Sequence, residues 1–255
     1  MNYKRSKYFT TSNKRKIKYF FAKKSSNITV VFFHGFMSDM VGAKPTSIQK
    51  FCKLHKINFL KFEYSGHGKS SGKFVDGNIS KWTNDSKQLI ESKVGKYENL
   101  IFVGSSMGSW IALNLFSYFK KKIIGFIGIS SAPEFLEKLM WKKFNNKIKN
   151  IILQKKIYYH DNSDFVYPIT KQLIFDGRKN KILNNKINLN IPLVLFHGTK
   201  DKVVPIKFSN KILKVCKKSK KKLLKIKNGD HSLSRKSDLK KICGELNLII
   251  KNFKT

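Results

Sequence analysis

Four stretches of this 255-residue chain are apolar almost from end to end: Ile28 to Phe33, Leu100 to Val103, Ile123 to Ile129 and Leu193 to Phe196. Each is the length of a strand, and a strand that is apolar on both faces must be covered on both faces. Segments with helical spacing separate them: Thr46 to Leu54, Ile79 to Ser92, Ser109 to Phe119 and Ile206 to Cys216, with Leu239 to Ile250 at the end. Two further strands are expected at Asn58 to Phe62 and Leu223 to Ile226. Strands that alternate with helices in this way predict an α/β architecture, a mostly parallel central sheet with helices on both faces.

Two regions stand outside the alternation. Tyr8 to Thr11 and Ile17 to Phe21 flank the polar Ser12-Asn13-Lys14-Arg15, which predicts an opening β-hairpin in preference to a basic transit peptide. Residues 132–190 combine a helical stretch (Glu134 to Phe144), polar turns and the aromatics Tyr158, Tyr159, Phe165 and Tyr167. They are expected to form a helical cap inserted over the sheet edge, so that 1–255 is one domain. No apolar run reaches the length of a membrane span, and the N-terminus lacks the apolar core of a secretory signal.

In a sheet of this kind chemistry is placed at the carboxyl ends of the strands. The run Leu100 to Val103 ends in Gly104-Ser105-Ser106-Met107-Gly108 and leads into a helix. A G-x-S-x-G in a strand-to-helix turn is a nucleophile elbow, with glycines where the tight turn leaves no room for side chains. Ser106 is the candidate nucleophile, and Ser105 and Ser109 are read as packing residues. A serine nucleophile needs a base, and the base needs an orienting acid. Asp201 follows the strand Leu193 to Phe196, and His231 follows Leu223 to Ile226. Asp230 adjoins His231 but is read as a loop-shaping residue, while Asp161, Asp164 and Asp176 fall in the expected cap. His34 and His197 each open a His-Gly pair and are read as turn-organising. His55, His67 and His160 lack a matching acid and are expected at the surface or in loops. An oxyanion formed on attack would need two donors. The candidates are the backbone N–H groups of Met107 and of Phe36, in the loop after the first buried strand. Phe36, Met107, Met140 and Trp141 are candidates for an apolar acyl pocket, with ordinary core packing as their alternative. Arg178 is a candidate contact for an acidic substrate group, with a structural salt bridge as its alternative.

The formal charge of +38 invites a nucleic-acid reading, but only four of the 53 basic residues are arginines. Base and phosphate readers favour the bidentate arginine fork. Lysine, asparagine, isoleucine and phenylalanine are all abundant here, as an AT-rich genome produces, and the lysines are spread along the whole chain. Weak attraction to anionic membranes is expected, and sequence-specific nucleic-acid binding is not. The glycine-rich stretch Gly66 to Gly72 contains G-K-S without the spacing of a phosphate loop. Cys52, Cys216 and Cys243 have no metal-ligand spacing and read as reduced thiols. No cofactor and no metal is expected.

His34-Gly35-Phe36, Tyr64-Ser65-Gly66-His67-Gly68, Gly104 to Gly108, Asp201 to Pro205 and Asp230-His231 resemble, in the same order, the α/β-hydrolase superfamily. A narrower likeness lies in Gly35-Phe36-Met37-Ser38-Asp39-Met40 with Lys44, Phe51-Cys52 and Phe62-Glu63-Tyr64-Ser65-Gly66. These resemble the abhydrolase-domain group of palmitoyl-protein thioesterases and acyl-glucuronide esterases. Similarity to bacterial relatives continues through Ser131-Ala132-Pro133, Leu139-Met140-Trp141, Tyr167-Pro168-Ile169-Thr170, Asp176-Gly177-Arg178 and His231 to Arg235. The resemblance implies an α/β-hydrolase fold and a cofactor-free serine esterase or thioesterase with Ser106, Asp201 and His231 as its triad. It also implies a small acyl ester or thioester substrate. The bacterial look and the composition favour a bacterial cytoplasm over a mitochondrial matrix. The same residues on the same fold would also suit a cap-type peptidase, a carbon–carbon bond hydrolase or, in another class, an inactive basic binding module. Neither the acyl chain nor the oligomeric state is legible.

Overall fold

The computed structural model describes residues 7–96, 98–161 and 166–254. Asp164 and Phe165 lie outside the described residues. The alternation resolves into an eight-stranded sheet. Its strands are β1 (Lys7–Thr10), β2 (Lys16–Ala22), β3 (Ile28–Phe33), β4 (Asn58–Phe62), β5 (Asn99–Ser105), β6 (Ile123–Ile129), β9 (Pro192–Gly198) and β10 (Lys220–Ile226), with β7 (Ile157–Asp161) and β8 (Val166–Thr170) set apart in an insertion. The order across the sheet is β1-β2-β4-β3-β5-β6-β9-β10. All pairs from β4 to β10 are parallel, and the β1–β2 hairpin adds antiparallel strands at one edge.

Helices cover both faces, as the two-sided burial of the strands demands. On one face, α1 (Ala43–Leu54) and α7 (Lys236–Lys254) pack over Val30, Phe32, Ile101, Val103 and Phe196. On the other, α2 (Ile79–Lys93), α3 (Met107–Asn114) and α6 (Lys207–Val215) cover Val31, Phe33, Phe102, Phe126 and Leu195. Neighbouring positions thus serve opposite cores, the two-residue period of a strand realised on both sides. Trp82 and Trp110 are fully buried in the second core, each with its indole N–H bonded, to the carbonyls of Ser65 and Asn180. Truncating either would cost about 3–5 kcal/mol.

The strand order reverses between β3 and β5, whose carboxyl ends therefore flank the crevice where sheets of this type place their chemistry. Above that edge the chain between β6 and β9 makes its excursion. It holds a π-helical turn (Leu136–Met140), a 3-10 turn (Trp141–Lys143), α4 (Asn146–Lys155), the hairpin of β7 (Ile157–Asp161) and β8 (Val166–Thr170), and α5 (Lys171–Lys179). The stretch expected as one helix from Glu134 is thus two irregular turns. The hairpin was hidden in the aromatic run, where Tyr158 and His160 face one way with Tyr167 and Ile169 opposite them. Buried Glu134 ties the two ends of the excursion together, accepting from the amides of Ile182 and Leu183 and pairing with Lys138 at 2.7 Å. The helix after Ser106 stops at Asn114, five residues before the expected end, and continues as turns to Phe119. Among the described residues no helix is long and apolar enough to cross a membrane.

Candidate active site

Ser106 stands between β5 and α3 with φ 51° and ψ −117°, a conformation that costs a non-glycine residue about 1–3 kcal/mol. The surroundings hold it there. Its N–H donates to the Ile129 carbonyl, and its own carbonyl accepts from the amides of Ser109 and Ala132. A side chain on Gly104 would meet the backbone of Ser109 at 2.5 Å, and one on Gly108 the Phe33 carbonyl at 2.2 Å. The two glycines of the motif are therefore what lets β5, α3 and β3 close around the serine. Ser109 is fully buried and donates to the Gly104 carbonyl, and Ser131 donates to Ser109 in turn. Ser105 is 7% exposed, on the strand itself.

His231, Asp201 and Ser106 form one hydrogen-bonded line, although 125 positions separate Ser106 from His231. His231 Nε2 lies 3.1 Å from Ser106 Oγ, and Nδ1 lies 2.9 Å from Asp201 Oδ2. The second carboxylate oxygen, Oδ1, accepts from the amides of Val203 and Val204 at 2.9 and 2.8 Å. Burial alone would raise the Asp201 carboxyl, but the His231 hydrogen bond and charge, with the two amides, more than offset it and hold it below the ordinary carboxylate range. Asp230 points elsewhere, accepting from the Leu233 amide at 2.8 Å, and so shapes the loop.

The loop after β3 passes beside the serine: a side chain on Gly35 would lie 3.6 Å from Ser106 Cβ. Neither the Phe36 N–H nor the Met107 N–H has a hydrogen-bond partner among the described residues. The Phe36 ring is enclosed by Phe74, Phe135 and Tyr167 at centroid distances of 5.1, 5.2 and 5.8 Å. Phe135 and Tyr167 come from the insertion, which thereby meets the sheet edge at Phe36. Met140 and Trp141 are half-buried on its irregular turns, but the Trp141 ring is taken up by the Arg178 guanidinium at 4.8 Å. Arg178 is bound at 2.7 Å to Glu137, the structural salt bridge.

His67 lies in a loop, as expected, but not at the surface. It is 3% exposed and sits among Tyr64, Phe74, Trp82 and His34, because Gly66 packs on the Lys73–Phe74 backbone and Gly68 on buried Glu63, which turns the stretch inward. Gly68 has φ 52°, and a side chain there would strike the Glu63 carboxylate. The glycine-rich stretch thus serves a turn and not a phosphate. Burial pushes the His67 imidazole down to about 4, against a weaker upward pull from the Ser65 carbonyl. His34 is buried and held well below the ordinary histidine range, chiefly by burial and then by His67. His55 is exposed, as expected, whereas His160 is neither at the surface nor in a loop: it lies on β7, half-buried against Phe144, because the aromatic stretch folds as a hairpin.

One functional neighbour carried no readable signal beyond its place in a motif. The Lys44 ammonium, near the start of α1, reaches the Ser232 carbonyl and lies 3.5 Å from Ser234 Oγ, fastening the loop that carries His231. Burial lowers its pKa and nearby Asp230 partly restores it. Among the described residues no group of three or more His, Cys, Asp or Glu side chains could hold a metal ion.

Comparison with known proteins agrees with this architecture. Human mitochondrial palmitoyl-protein thioesterase ABHD10 is 27% identical over 216 residues, 82% of this chain and 69% of that protein. A crystal structure of an Agrobacterium vitis S4 protein described as a hydrolase has a TM-score of 0.90 at 27% identity, covering 96% of this chain and 98% of the other. Mouse α/β-hydrolase domain-containing protein 10 has a TM-score of 0.88 at 24% identity, covering 98% and 99%, and speaks for the fold. The model of the hydrolase family described as serine aminopeptidase, S33, matches residues 24–172, more than half of the sequence. The chain belongs to that family and has the α/β-hydrolase fold.

Proposed function

We propose that the protein is a serine hydrolase that cleaves carboxylic esters or thioesters through an acyl-enzyme on Ser106. The observation that carries this reading is the unbroken line from Asp201 through His231 to Ser106, at 2.9 and 3.1 Å, ending on a residue held at φ 51°. A carboxylate only accepts, so His231 Nδ1–H donates to Asp201 and leaves Nε2 free to accept from the Ser106 hydroxyl. Nε2 takes that proton as Ser106 Oγ attacks the carbonyl carbon. The charge that forms on the carbonyl oxygen is received by the N–H groups of Phe36 and Met107, beside the positive end of α3. Asp201 stabilises the resulting imidazolium. The proton then passes from Nε2 to the departing alcohol or thiol. Water, deprotonated by the same nitrogen, releases the acid and restores Ser106.

The aromatic enclosure of Phe36 supports an apolar acyl group, and the insertion is read as the cap over it within a single domain. The related thioesterases favour an ester or thioester, while the serine aminopeptidase description of the family keeps a peptidase as the second reading. Free Cys52, Cys216 and Cys243 fit a reducing compartment, and a bacterial cytoplasm is the proposed location. The test is a substrate panel with p-nitrophenyl esters of graded length, acyl-CoA, acyl-glucuronides and aminoacyl amides, run beside fluorophosphonate labelling of Ser106. Turnover of esters or thioesters with labelling at Ser106 is expected. Turnover confined to the amides would select the peptidase, and a folded protein that takes no label would return the reading to a binding module.

A further inference from the structure

Asp201 has a second histidine beside it. His197 Nε2 lies 3.6 Å from Asp201 Oδ2, the oxygen that His231 uses. His197 is 1% exposed and both its nitrogens are engaged, so it has no route to a substrate. Nε2 is 2.8 Å from the Val204 carbonyl and Nδ1 is 2.9 Å from Ser209 Oγ, on α6. A carbonyl can only accept, so Nε2 carries the proton and donates it to Val204. In the neutral ring Nδ1 then accepts from the Ser209 hydroxyl, and a single tautomer satisfies every group.

Val204 is also one of the two residues whose amides hold Asp201 Oδ1. The hydrogen bonds therefore run without a gap from Ser209 to His197, to Val204, to Asp201, to His231 and to Ser106. We infer that His197 is a positioning residue: it fixes the 201–204 loop so that Oδ1 is filled by amides and Oδ2 alone is presented to His231. The inference rests on the reading of Ser106, His231 and Asp201 as the catalytic line. The alternative orientation is physically close, because a carboxylate freed to rotate could turn Oδ2 toward His197. Neutrality of His197 matters for the same reason, since a second imidazolium would compete for that oxygen. Burial supplies the neutrality by lowering the His197 pKa, against smaller upward pulls from the Val204 carbonyl and Asp201.

The experiment compares His197→Phe, which keeps a ring of similar volume and removes both hydrogen bonds, with His197→Gln, whose amide can still donate to Val204. Misplacing a catalytic group by a fraction of an ångström to an ångström costs about 10- to 100-fold. His197→Phe is expected to lose kcat on that scale with KM changed less than about twofold, and to react correspondingly more slowly with fluorophosphonate. His197→Gln is expected to recover most of the loss. Proton NMR supplies a second readout. The low-field resonance of the His231 Nδ1–H to Asp201 hydrogen bond should weaken or move upfield in His197→Phe and return in His197→Gln. Should His197→Phe fail to fold, Ser209→Ala, which removes only the partner of Nδ1, is expected to lower kcat several-fold. Wild-type kcat and resonance in a folded His197→Phe or Ser209→Ala would overturn the inference, as would equal losses in the Phe and Gln variants. Ser106→Ala distinguishes the two levels. If it stays active, the catalytic line itself is wrong. If it is dead while His197→Phe is fully active, only the role of His197 falls.

Discussion

Gly198, the last residue of β9, lies so close to Gly229 that a side chain on it would meet the Gly229 carbonyl at 2.3 Å and the Asp230 carbonyl at 2.5 Å. The loop that carries Asp201 and the loop that carries His231 thus rest on each other through bare backbone. The Lys200 amide donating to Gly229 at 2.8 Å and the Asn228 amide donating to Thr199 at 2.9 Å complete the seam. Gly198→Ala must part the two loops. Its ester hydrolysis is expected to fall by about 100-fold, the cost of a misplacement near one ångström. Steady-state kinetics on a variant whose circular dichroism matches wild type checks this, and unaltered kcat would show that the seam yields without moving His231.

Ser106→Ala is expected to lower kcat by at least about 1000-fold, because the members of such a line act as a unit. It should also abolish fluorophosphonate labelling, while Ser105→Ala keeps a substantial fraction of the rate. Mass spectrometry of the labelled peptide decides between the two serines. Stripping divalent metals should leave the rate unchanged, and activity lost to a chelator and restored by zinc would contradict the serine mechanism.

Stability should fall in mild acid through His67. Its folded pKa is about 4, below the unfolded value near 6.5, so the unfolded chain binds the extra proton. The contribution is fully present above pH 6.5 and is lost as pH falls through 4, a change of about 3 kcal/mol at one proton's worth of linkage. His34, shifted the same way, steepens the trend. His67→Phe, placed among rings already there, should flatten it. Denaturant midpoints between pH 7 and pH 4 measure the effect, and parallel curves for wild type and variant would refute the assignment to His67.

The +38 charge should behave as a diffuse field. Duplex DNA is expected to bind weakly, alike for unrelated sequences, with affinity falling steeply as salt rises. Hydrolysis of a small neutral ester should depend little on salt. Binding to several duplexes at two salt concentrations tests this, and a selective complex surviving physiological salt, with a gap of several kcal/mol between sequences, would reverse the reading of the lysines.

The strands were legible because two-sided burial forces runs such as Ile28 to Phe33 and Ile123 to Ile129 to be apolar throughout, and both bounds recur unchanged in β3 and β6. The place where Ser106, Asp201 and His231 meet was legible because each follows a strand of a parallel sheet, whose carboxyl ends share one edge. What stayed hidden depends on contacts between distant elements. His67 lies in a polar, glycine-rich stretch that looks like surface, and only the packing of Gly66 on the Lys73–Phe74 backbone and of Gly68 on Glu63 turns it inward. The Glu137–Arg178 pair spans 41 positions, from an irregular π-helical turn to α5. Phe74 and Phe135 reach Phe36 from 38 and 99 positions further along the chain, and no periodicity marks either as a partner.

The clasp of Glu134 on the amides of Ile182 and Leu183 has a consequence for how such a protein changes over time. Everything in the line from Asp201 to Ser106 belongs to the sheet and its edge loops, while the stretch above Phe36 leaves and re-enters the sheet at a neck clasped by one carboxylate on the amides of Ile182 and Leu183. Further along, the excursion is held at α5, where the Asn180 carbonyl accepts from Trp110, Asp176 accepts from the Ser80 amide and Gln172 donates to the Val75 carbonyl. On the proposed function, exchanging residues 135–181 between relatives, with Glu134, Ser80 and Trp110 kept as their partners, is expected to carry over a preference for one acyl group while Ser106, His231 and Asp201 stay in place, so that a change of substrate needs a new roof and no new line beneath it.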